Sequence, residues 1–205
     1  MAEEEMITTR RLEALTDGIF AFSMTLLVIF IETPKAHHLF DPQQLQLYLV
    51  EQYPQFISYL ITFVLLANFW IIHHNISRFI TKTNYLNLWL NIIFMLFIVL
   101  LPFTSMILGD YPQAWGSIFL FISNLFCICS TLLGIWVYAS HNRKLIRSDI
   151  DQKQITLMTY HLSIGVFFSF LSIILSFFNT SASLYVYLCI PVSLLFYKLM
   201  NQKKS

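Results

Sequence analysis

Charge is scarce in this sequence. Lys, Arg, Asp and Glu make up only 11% of its 205 residues, against about 25% in soluble domains. Glycine is scarce as well, with five residues in the whole chain. Cysteine occurs three times, as Cys127, Cys129 and Cys189, each inside an apolar run. An odd, buried set excludes a disulfide framework. Cys127 and Cys129 are two residues apart, so on a helix they face different sides and make a poor metal pair. The formal net charge of +1 removes long-range steering toward polyanions, and with it nucleic acid as a partner. What is abundant is apolar surface: 57% of the residues are hydrophobic and 20 are Phe. A soluble domain of this size could not bury that much, and the chain reads as an all-α integral membrane protein.

Six apolar runs are each long enough to cross ~30 Å of hydrocarbon at about 1.5 Å per residue. They cover about 12–33, 54–76, 85–108, 114–139, 156–178 and 183–200. No strand alternation is sustained, which argues against a barrel. Pro34 closes the first run, and Pro54 and Pro112 suit a first helical turn. Asp41-Pro42 can open a short surface helix through Tyr53. Pro102 and Pro191 are expected to kink spans three and six. Trp89, Trp115, Trp136, Tyr85, Tyr111 and Tyr138 lie near span ends, where aromatics meet the membrane interface. With six spans, 11 of the 12 basic residues fall on one side and only Lys35 on the other, so both termini are expected in the cytoplasm. The acidic lead-in Glu3-Glu4-Glu5 does not read as a signal peptide. Residues 1–205 read as a single six-helix domain.

Ionisable residues inside a membrane are costly and point to function or to packing. Spans two to six hold no Asp, Glu, Lys or Arg before Lys198, and their exceptions are His73, His74 and His161. Span one carries Arg11, Glu13 and Asp17 near its cytoplasmic end. The topology sets Asp17, a span-two histidine and Asn87 or Asn91 of span three at similar depth. A cluster of these with Arg11 is geometrically feasible, and equally Arg11, Glu13 and the histidines could sit solvated at headgroup level. Phe22, Thr25, Leu26 and Ile29 fall on one helical stripe. Periodicity alone leaves that stripe open to lipid, to bundle core or to another role. No span carries a periodic Arg series, so a voltage sensor is excluded.

Arg11-Leu12-Glu13-Ala14-Leu15-Thr16-Asp17 resembles the Arg-x-x-x-Phe-Ser-Asp signature of the transmembrane-protein-175 family of potassium channels, found in endolysosomes and in prokaryotes. The likeness continues through Asp17–Ala21 and Thr25–Val28, through Phe69–His74 with Trp70 and His73, and through Asn91 with Leu101-Pro102-Phe103. It departs at Leu15, which replaces Phe, and at Thr16, which replaces Ser but keeps a hydroxyl. The resemblance implies a homotetramer in a bacterial inner membrane, with potassium as the transported ion and no cofactor. It implies a pore lined by the first helix, with Phe22, Leu26 and Ile29 as hydrophobic constriction layers and Thr25 as a polar position tied to selectivity. It further implies that Arg11, Asp17, Trp70, His73 and Asn91 form the network that seats the first helix. Phe22 stands where family members carry smaller Leu or Ile.

Five scattered glycines cannot build a pore-loop filter of backbone carbonyls, and no Thr-Val-Gly-Tyr-Gly stretch occurs. A ring of apolar side chains can gate by dewetting instead, with modest selectivity for potassium over sodium. A proton-coupled secondary transporter is the alternative. It would need a titratable relay near the midplane and repeated halves with broken helices, and the sequence offers only Asp17, near one end. A membrane enzyme is disfavoured, because His73-His74 and His37-His38 lack a third ligand at metal spacing.

Overall fold

In the computed structural model the described residues are 9–29, 31, 42–179 and 183. Six α-helices follow one another: α1 Thr9–Ile29, α2 Pro42–Glu51, α3 Tyr53–Ser77, α4 Tyr85–Asp110, α5 Trp115–Ser140 and α6 Gln152–Ser176. Five of them, all but α2, are long and apolar enough to cross a membrane. These correspond to the first five expected spans. Residues 184–200 of the sixth, with Cys189 and Pro191, lie outside the described residues, as do Pro34, Lys35, His37 and His38. The short helix expected after Asp41 is α2. No strand occurs among the described residues, and Ile80 and Ile146 form an isolated antiparallel bridge.

Local chemistry sets several ends. Asn84 caps α4, its side chain accepting from the Asn87 N–H at 3.1 Å, which removes one of the orphan donors of the first turn. Asp151 does the same for α6 through Lys153. Pro54 is the second residue of α3, where its missing N–H costs nothing. Pro112 corrects its expectation: it lies in the Tyr111–Ala114 turn ahead of α5, not in the helix. A 3₁₀ turn, His141–Arg143, follows α5. Pro102 lies buried inside α4, which runs on through it.

Helix α4 is the hub, packing against α1, α3 and α5, while α6 packs on α5. Its buried positions, including Phe94, Ile98, Leu101 and Ser105, recur at i, i+4, i+7 and i+11 and form one broad face toward the core. Phe20 of α1 and Leu66 of α3 fill the same core, and Ile122, Leu125 and Trp136 of α5 extend it. Trp136 corrects a second expectation. It does not face outward but is buried in the bundle, donating through Nε1 to Thr159 at 3.0 Å and meeting Phe79 edge-on. Tyr85, Trp89, Tyr111 and Trp115 are exposed as expected.

All eight described Lys and Arg residues lie at one end of the bundle, on the first turn of α1 and on the α3–α4 and α5–α6 connections and their flanks. The two connections are laced together at this basic end. Thr81 and Lys82 donate backbone N–H to the Leu145 carbonyl, and Arg147 donates to the Phe79 carbonyl. At the opposite end α3 and α4 are joined by hydroxyls. Ser58 donates to the Ser105 carbonyl at 2.9 Å, Thr62 meets the Ser105 hydroxyl, and Gln55 donates to Asp110 at 3.0 Å. A side chain at Gly109 would place its Cβ 3.4 Å from that of Ser58. Small and hydroxylated residues let two helices approach closely where hydrocarbon supplies no hydrophobic drive.

Candidate functional site

The polar residues of α1, α3 and α4 meet near the basic end. Asp17, exposed on α1, accepts from the indole Nε1 of Trp70 on α3 at 2.9 Å. One turn further along α3, His73 is buried and its Nε2 lies 2.9 Å from Asn91 Oδ1 on α4. The Asn91 amide is fixed by its own donor, Nδ2 to the Asn87 carbonyl at 2.8 Å. Its oxygen therefore faces His73, and His73 carries its proton on Nε2. His73 Nδ1 is then the acceptor for the Ser77 hydroxyl, at 3.4 Å. The chain of contacts goes on through Asn87, whose Nδ2 donates to Thr83 at 2.7 Å.

Aromatic rings pack the site from the core side. His73 lies almost parallel to Phe94 at 5.2 Å between centroids, and Phe94 touches Phe20 of α1 at 6.0 Å. His74, one residue on, points the other way and stacks on Trp70. The adjacent histidines thus serve different faces and do not form a pair of ligands. Thr16 is buried, donates to the Leu12 carbonyl at 2.9 Å and touches Met95 Sδ. Its hydroxyl is used within the fold, whereas Leu15 is exposed.

Of the expected network, Asp17 with Trp70 and His73 with Asn91 are brought together as two contacts at neighbouring levels. Arg11 is not brought in: it is exposed and has no side-chain partner within the chain among the described residues. The stripe on α1 stands apart. Phe22 is 56% exposed and Ile29 70%. Thr25 is exposed and donates to the Phe22 carbonyl at 2.8 Å, and Leu26 is half-buried at the stripe's edge. Sequence reasoning does not single out Ser77, Thr83, Asn84 or the Ser58–Thr62–Ser105 seam. The seam has a signal, since Ser58 and Thr62, like Ser105 and Gly109, are four apart and share a helix face.

No group of three or more His, Cys, Asp or Glu residues placed to hold a metal occurs among the described residues. Their fold and polar contacts define a polytopic helical membrane protein whose buried polar groups bind helix to helix.

The comparisons then narrow the class. Residues 11–102 match the family profile described as the endosomal/lysosomal potassium channel TMEM175. A potassium channel of Chamaesiphon minutus is 25% identical over 164 residues, 78% of this chain and 80% of that relative. A potassium channel of Streptomyces collinus is 29% identical over 101 residues, and the chain spans only 48% of its length. The crystal structure of a lysosomal potassium-selective TMEM175 homolog from Chamaesiphon minutus superposes with a TM-score of 0.80. It covers 92% of this chain and 97% of its own, at 22% identity, a likeness of fold. Over residues 11–102 the chain is similar to the TMEM175 family, and both of these bacterial relatives are named potassium channels. With five helices long and apolar enough to cross a membrane, it is a multi-pass membrane protein.

Proposed function

We propose that the chain is a potassium channel, modestly selective over sodium, that works as a homotetramer with its pore on the symmetry axis. Residues 1–205 form one six-span unit with both termini in the cytoplasm. Helix α1 of each copy lines the pore, Phe22, Leu26 and Ile29 forming hydrophobic layers and Thr25 a polar ring. Trp70, Asp17, His73 and Asn91 seat α1 against α3 and α4, with Arg11 at the same end. The names of the bacterial relatives support potassium as the ion.

The observation that carries this reading is the unused face of α1. Phe20, Ser23 and Leu27 are buried against the bundle, while Gly18, Ala21, Phe22, Thr25 and Ile29 are exposed on another side. A helix that only faced lipid would gain nothing from Gly18 and a self-satisfied Thr25 on that side. Four copies around an axis give such a face a shared lumen, since a symmetric ring can be closed only by several subunits. The location of all eight described Lys and Arg residues at one end supports the cytoplasmic assignment of the N-terminus.

The test is flux from purified protein in liposomes holding a potassium gradient. Passive potassium flux exceeding sodium flux, with no co-substrate, is expected. Flux that saturates and requires a proton gradient would instead establish the coupled transporter.

A further inference from the structure

A second polar feature lies behind α1 at the basic end. Thr9, Leu12 and Glu13 of α1 form one wall of a narrow cleft, and Ser77, Ile80, Asn87, Asn91 and Ile135 form the other. Asn87 is 1% exposed, and its Oδ1 has no hydrogen-bond partner among the described residues, one of its two amide N–H groups being given to Thr83. A buried amide oxygen left unpaired costs roughly 1–3 kcal/mol, so this oxygen calls for a partner. Ser77 gives its proton to His73 and so offers only lone pairs to the cleft. Glu13, half-buried on the facing wall, adds a carboxylate. Asn91 already meets His73 with its oxygen and the Asn87 carbonyl with its nitrogen.

We propose that this cleft binds one monovalent metal cation between Asn87 Oδ1 and the Glu13 carboxylate, with the Ser77 and Thr9 hydroxyls as further oxygen donors. A set of neutral oxygens with one carboxylate suits a hard cation of low charge. Potassium is close to water in radius, and the space is of water size. A divalent ion would demand more carboxylates than the single one present. The bound ion bridges the first turns of α1 to α3 and α4, away from the exposed stripe. It therefore ties the angle of α1 to the cation concentration at the basic end. The inference concerns binding and stands whether or not the exposed stripe conducts.

Thermal unfolding of the intact protein in detergent tests it, in potassium chloride against N-methyl-D-glucamine chloride at constant ionic strength. Wild type should gain about 3 °C or more in potassium through preferential binding to the folded state. Glu13→Gln should lose most of that gain, and Asn87→Asp should enlarge it. An equal gain in Glu13→Gln and wild type, or none in wild type, would overturn the site. Should Glu13→Gln fail to fold, wild-type crystals soaked in rubidium decide. An anomalous peak between Glu13 and Asn87 is expected, and density of water height alone there would reject the proposal.

Discussion

Phe22 carries the most direct test at the scale of single residues. More than half of its surface is free in one chain, so truncating it leaves the core of the subunit untouched. Phe22→Ala should keep its assembly state while cation flux rises and potassium-to-sodium discrimination falls, read from liposome flux. Unchanged flux and selectivity would move the ring to lipid or to another helix. Asp17 and Trp70 act at a different level. Trp70→Phe removes the indole donor but keeps an aromatic ring, leaving the carboxylate short of one partner. A charge-assisted bond of this sort contributes about 1.5–3 kcal/mol where solvent is excluded, and less while it stays exposed. Trp70→Phe and Asp17→Asn should therefore lower the yield of assembled protein on size-exclusion chromatography, more than any single exposed-site change in α6. Arg147 and Asp149 make the opposite case. Arg147 bonds both oxygens of Asp149 and holds its carboxyl below the usual value. Any stabilisation this gives is present above the ordinary carboxylate range and is lost as pH falls through the lowered value. Both groups are fully exposed, so water screens the pair. Asp149→Asn should leave the melting temperature at neutral pH where it was.

Between elements, the α3–α4 pair is held at both ends by side-chain hydrogen bonds, and each end makes its own prediction. At the basic end, Asn91→Leu strands His73 Nε2–H in a buried site and should cost about 1–3 kcal/mol. His73→Leu with Asn91→Leu should recover part of that loss. The coupling from the double-mutant cycle should be about 0.6–1.7 kcal/mol, the range for bonds between membrane helices. At the other end, Gly109→Leu drives a branched side chain into Ser58 and Gln55 and should separate the helices, with loss of folded protein in a thermal scan. The sequence foretells these elements unevenly. Long apolar runs set the number and bounds of the five described spans to within a few residues, because hydrocarbon thickness fixes helix length whatever the tertiary context. The depth of Asp17, His73 and Asn91 is readable because a helix in a membrane converts residue number into height. Rotation about the helix axis is not readable, and that is where the misses lie. Trp136 has the composition of an interfacial anchor but points inward onto Thr159. Arg11 shares the depth of the cluster but points away from it. Ser77 and Thr83 give no signal, because hydroxyls near helix ends are common and stand out only once their partners are known.

For the molecule as a whole, the asymmetry of charge and the exposed face of α1 lead to one expectation about assembly. Native mass measurement in detergent should give four chains per particle, and a monomer that still conducts would contradict the axial pore. Charge asymmetry is legible in the sequence itself, since it depends only on where runs of apolar residues end. Stoichiometry is not, because a single chain records which face is unused and not how many copies share it.

The lacing of the two connections at the basic end has a mechanical consequence. With Thr81, Lys82 and Leu145 bonded across the gap, and Arg147 bonded back to Phe79, the α3–α4 and α5–α6 hairpins are clamped into a stator. Helix α1 is outside the clamp. It leans on the stator through the Asp17–Trp70 contact and through Phe20 against Phe94, which act as a bearing rather than a weld. A lever on such a bearing can tilt without melting the block behind it. Hydrogen exchange should accordingly register one slow, cooperative group of amides across α4 and α5, and a faster, separable group in α1.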